Sequence, residues 1–151
     1  MTDEENQNFQ TELALKALSM AVDMAMHQKF PVLYSNFNMT DKQIVMKIIS
    51  METGIKLKKI KEGSLTSQDY RYIVNCCEKI YEIPFSILDF DDNIEKVEQI
   101  KKIIKKISEE NKIKIMFIDY EEKKKEFIKK IIDGTYVPIV AISNKGDAFK
   151  F

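Results

Sequence analysis

Four short apolar runs, set apart by stretches of helical periodicity, constrain this chain more than any other feature. They read VLYS after Pro31, FSILDF after Pro84, IKIMFID at residues 113–119 and VPIVAIS at residues 137–143. Runs of this length, rich in β-branched and aromatic residues and bounded by polar ones, read as buried strands. Strands that alternate with helices call for a mainly parallel sheet of about four strands, covered by helices on both faces. The expected order is α–β–α–α–β–α–β–α–β, a three-layer α/β fold. The third run ends in a bare carboxylate, Asp119. An acid at the C-terminal tip of such a strand lies where open α/β sheets hold their ligands. Asp119 is therefore the first candidate for a metal or nucleotide contact.

Local signals place the helices. Residues 1–10, MTDEENQNFQ, are polar and show no period, which predicts a flexible lead-in to a single domain over 11–151. Leu13, Ala17, Met20, Ala21, Met24 and Ala25 then recur at helical spacing, and Met20, Met24 and Met26 are expected to fill core space. Thr40 with Gln43 three positions on forms a capping-box pattern, and Gly54 closes that helix. A basic connector, IKLKKIKEGSL, leads to Thr66, the expected cap of the next helix. Asp92 or Asn93 is expected to cap a further helix whose stripe is Val97, Ile100, Ile104 and Ile107. A charged helix over about 121–133 ends at Gly134, and a polar tail closes the chain.

Composition excludes several chemistries. The 24 basic and 24 acidic residues cancel, but residues 1–100 sum to −5 and residues 101–151 to +5. The net +5 of that lysine-rich C-terminal third is modest for a nucleic-acid binder, and the lysines read as solvated helix faces. His27 is the only histidine, so a Cys/His zinc site and a Ser-His-Asp triad find no support. Cys76 and Cys77 are adjacent on a helix and diverge, which disfavours both a disulfide and a metal pair. Neither a signal-type leader nor a membrane-length apolar run is present, and a cytoplasmic protein with no membrane partner is expected.

Four blocks carry a resemblance. FPVLYSNFNMTDKQIVMKIIS, KIKEGSLTSQDYRYI, IKIMFIDY and VPIVAISN resemble, in that order, segments of DnaB-type replicative DNA helicases. The similarity is to their C-terminal RecA-like motor domain and spans about Ala17 to Asn144. The resemblance implies a RecA-like fold, truncated relative to the family. It also implies kinship with an ATP-driven hexameric ring that encircles and unwinds DNA. The family's chemistry is phosphoryl transfer to water. It needs a P-loop, Mg²⁺ held in part by a Walker-B acid, a carboxylate that activates water, and a cation for the transition state.

Those parts are unevenly matched here. Counting back from PVLY by the family's spacing puts the P-loop at Gln7 to Ala14, QNFQTELA, with neither glycine nor lysine. Its lysine position falls near Leu13. Asn38 stands where the family places its catalytic Glu, and an amide cannot take a proton from water. The Walker-B acid is matched by Asp119, the one metal candidate, and the polar sensor pair by Ser143 and Asn144. Arg71, the only arginine, lies in the early connector and is not matched to the family's finger arginine.

Three functions follow as expectations. The first is a DnaB-like, non-catalytic interaction module or pseudo-ATPase related to DNA replication. It would take no cofactor, and its partner would be a replicative helicase, a loader or another copy of itself. The second is a residual ATP and Mg²⁺ site at Asp119, Ser143 and Asn144. The third is a DNA-binding protein that uses the lysines of residues 101–130.

Overall fold

The computed structural model describes residues 3–36, 39–89, 97–143 and 148–150. Helix α1 (Asp3–Met26) leads into strand β1 (Val32–Asn36). Helices α2 (Asp41–Thr53), α3 (Leu57–Glu62) and α4 (Ser67–Glu82) separate β1 from β2 (Phe85–Asp89). Next come α5 (Val97–Glu110), β3 (Ile115–Tyr120), a 3-10 turn at Glu122–Lys124 and α6 (Lys125–Ile132). Strands β4 (Ile139–Ser143) and β5 (Ala148–Lys150) complete the described chain.

The strands form one sheet in the order β2-β1-β3-β4-β5. The first four are parallel, as the alternation of strands and helices predicts, and β5 runs antiparallel to β4. Each face of the sheet packs against its own helices. On one face Val32, Tyr34 and Phe117 pack with Leu18, Ala21, Val22 and Ala25 of α1 and Ile44 and Ile48 of α2. On the other, Leu33, Met116, Ile118, Tyr120, Ile139 and Ala141 pack with Ile100 and Ile104 of α5 and Ile128 and Ile131 of α6. Alternate residues of β1 and β3 thus serve opposite cores, and this is why β1 is apolar from Val32 to Tyr34 and β3 throughout but for Asp119.

Side-chain caps fix the helix ends on β1's side of the fold. Thr40 and Gln43 form the reciprocal capping box of α2, and Thr66 and Asp69 form that of α4. Gly54 closes α2 at φ 76°, a left-handed conformation that costs glycine little.

Four expectations need correction. Helix α1 begins at Asp3, so residues 3–10 are helical rather than an irregular lead-in. They contain neither glycine nor proline and several Glu and Gln, so nothing in them opposes a helix. The buried stripe of α1 is Leu18, Ala21, Val22 and Ala25, which leaves Met20 55% exposed on the opposite side. The basic connector contains α3, six residues closed by Gly63 at φ 70°. The polar tail supplies β5, whose three residues are too few to show an alternation. The expected caps Asp92 and Asn93 lie outside the described residues.

Candidate functional site

The site begins with a register. Asn36 and Asp119 are Cα partners at the C-terminal ends of the parallel strands β1 and β3. Partner residues of parallel strands leave the same face of the sheet, here the face covered by α1 and α2. Asn36 Nδ2 donates to Asp119 Oδ2 at 3.1 Å, and Asn36 Oδ1 accepts from the Met39 backbone N–H at 2.9 Å. Both ends of the Asn36 amide are therefore engaged, which fixes its donor toward the acid. Asn36 is 1% exposed and Asp119 6%.

Burial of a carboxylate with few partners raises its pKa. Asp119 is pushed up from 3.8 to about 6, mainly by desolvation, while the charge of Lys47 and the Asn36 hydrogen bond pull the other way. Lys47 stands half-buried on α2. Its own pKa is lowered, first by burial and then by Lys61, with Asp119 opposing. Burial, with the Asp119 charge added, also holds the Tyr34 phenol well above its usual range, and the Asn36 side chain counters this. The result is a small polar group at the top of an otherwise apolar face, with Tyr34, Asn36 and Asp119 buried and Lys47 half-buried beside them.

The sequence candidates meet this geometry unequally. Asp119 lies at the strand tip, as expected. Ser143 is buried at the end of β4, but its register partner is Tyr120, whereas Asp119 pairs with Ile142. Successive strand residues alternate faces, so Ser143 leaves the sheet opposite Asp119 and the two do not converge. Asn38 and Asn144 lie outside the described residues. Residues 7–14, the expected place of a P-loop, lie within the continuous helix α1. Inside a helix the backbone N–H groups are spent on intrahelical bonds and cannot wrap phosphates. The described residues offer no group of three His, Cys, Asp or Glu able to hold a metal ion. Among the described residues the donors at this strand tip do not fit Mg²⁺–ATP, because one buried carboxylate engaged by Asn36 is too few without a phosphate cradle.

Sequence reasoning missed Asn36 and Lys47. Lys47 carried a weak signal, since it lies between Ile44 and Ile48 of the buried stripe of α2. Asn36 carried none, because its partner is 83 residues away.

A strand-tip acid on a β2-β1-β3-β4 parallel core, with the four sequence blocks in order, can be set against known proteins. The family model described as DnaB-like helicase C-terminal domain matches residues 11–143. The chain belongs to that family. Among its relatives, the replicative DNA helicase DnaB of Treponema pallidum is 25% identical over 104 residues, covering 69% of this chain and 23% of that one. The probable plasmid replicative DNA helicase of Chlamydia muridarum is 30% identical with the same coverage. This DnaB-like chain thus spans 23% of the length of these curated relatives.

Solved structures agree on the fold. A DnaB-like replicative helicase, described with its interactions with primase, matches with a TM-score of 0.66 at 19% identity, over 87% of this chain and 35% of that one. A second solved structure, described as an ATPase domain, matches with the same score and identity, over 85% of this chain and 51% of the other. The RecA-like architecture of DnaB ATPase domains is therefore present here. No helix among the described residues is long and apolar enough to cross a membrane.

Proposed function

We propose that this DnaB-like domain is a non-catalytic interaction module of DNA replication, a pseudo-ATPase of the cytoplasm that keeps the motor fold without its chemistry. One observation carries the proposal. Where the family's phosphate loop is expected, residues 7–14 continue a helix, and the surviving acid, Asp119, is buried against Asn36. Asn38 at the catalytic Glu position supports the same reading, since an amide orients water but does not deprotonate it. Partners of matching descent are a replicative helicase, its loader or a further copy of this chain. Primase joins that set because one structural neighbour is described with it.

Two measurements test the proposal together. Thermal unfolding with millimolar ATP and Mg²⁺ is expected to give an unchanged midpoint. A ligand at 100 times its Kd would add about 2.7 kcal/mol and be plainly visible. Co-purification of the tagged chain with the replicative helicase of its own cell is the positive arm. An ATP-dependent shift abolished by Asp119→Asn would replace the proposal with a residual nucleotide site. The lysines of α5 and α6 give a third reading, which predicts salt-dependent binding of single-stranded DNA.

A further inference from the structure

Helix α4 presents two parallel stripes. Asp69, Ile73, Cys76 and Ile80 form the inner one, partly or fully buried beside α2. One residue further round the helix, Tyr70, Val74, Cys77 and Tyr81 form a second stripe with steps of four, three and four. Alternating steps of this kind make the seam of a paired helix. Yet this stripe faces outward. Tyr70 is 53% exposed, Val74 55% and Tyr81 91%, and Cys77 is exposed as well. Tyr72 is 50% exposed elsewhere on the helix, but Tyr70, Val74 and Tyr81 lie on one line, and large apolar side chains gathered in this way mark an interaction surface.

The charges beside the stripe select the occupant. Arg71, Glu78 and Glu82 are exposed along its outer flank. A second α4 laid antiparallel about a twofold axis sets Tyr70 against Tyr81 and Val74 against Cys77 of the second copy. The same register drops Arg71 between Glu78 and Glu82 of the second copy, and the symmetry repeats the contact. A parallel pairing would instead set this charged flank against the opposite flank of the second copy, where Ile73 and Ile80 lie and Arg71 finds neither glutamate.

From this self-complementarity we infer that α4 is a homodimer interface, in which two copies of this chain pair antiparallel through Tyr70, Val74, Cys77 and Tyr81. Sixteen residues span roughly 24 Å, so the contact is small and the dimer weak and reversible. It needs neither nucleotide nor a helicase partner; it rests on the reading above only in placing the further copy of this chain named there, and an ATP-dependent shift would remove that reading without touching this pairing.

Sedimentation velocity of the full chain across a wide concentration range tests this directly. The expected result is a monomer–dimer equilibrium that V74K weakens by about tenfold or more. R71E should weaken it similarly, and the charge-swapped chain R71E/E78R/E82R should recover it. V74C should form a covalent dimer through Cys77 of the other copy under mild oxidation, and V74C/C77S should not. All these positions are exposed, so unchanged melting curves confirm that the variants fold. A chain that stays monomeric at every concentration overturns the inference. So does an oligomer indifferent to V74K and R71E. A monomer whose V74K variant loses a co-purifying helicase would also overturn it, and would assign the stripe to that partner instead.

Discussion

Asp119 carries a cost that its few partners offset only in part. Its carboxyl titrates near 3.8 when unfolded and about 6 when folded, so between those values the folded chain holds more protons. Stability from this group therefore falls as pH rises from about 4 to 6 and stays low above that. The difference corresponds to a few kcal/mol at neutral pH, on the order of 1.4 kcal/mol per pH unit between the two titrations. Asp119→Asn should raise stability at pH 7 by about 1–3 kcal/mol and flatten the wild-type decline between pH 4 and 6. Parallel urea titrations of the two proteins at several pH values would check both outcomes. Removing the opposing charge with Lys47→Met should move the Asp119 titration upward, readable by carboxyl NMR. The acid itself was legible in the sequence, because it ends an apolar run. Its setting was not, since Asn36 and Lys47 meet it through sheet register and helix packing rather than through spacing.

At the scale of elements, the sequence spoke clearly wherever a cap or a stripe repeats a local rule. Thr40 and Thr66 announced α2 and α4, and both capping boxes are closed in the structure. Thr66→Ala should cost about 1 kcal/mol by leaving the Asp69 N–H without its acceptor, measurable as a lower urea midpoint at unchanged slope. Elements without such rules escaped notice. Helix α3 is six residues of mostly basic and aliphatic side chains with no side-chain cap. Strand β5 is three residues long and depends on pairing with β4 for its existence. The exposed stripe of α4 was hidden for a different reason. Its residues look like core residues, and only the position of α2 shows which of two neighbouring rows is covered.

Across the whole molecule, the sheet order was legible only as a class. Alternating elements called for parallel strands, but that β1 lies between β2 and β3 follows from tertiary packing. That placement bears on how the chain folds. Strand β1 comes first, yet both its neighbours come later, and the Asn36–Asp119 bond joins residues 83 apart. Non-local pairing of this kind slows folding, because a long loop must close before its contacts repay the entropy. A fragment ending before Ile115 lacks β3, and with it Met116, Phe117, Ile118 and Tyr120 of the two cores. Such a fragment should show no cooperative unfolding transition. During synthesis, then, the apolar face of α1 and both edges of β1 are made long before the strand that completes them. Until residue 120 has left the ribosome, this protein depends on whatever shields an unfinished sheet.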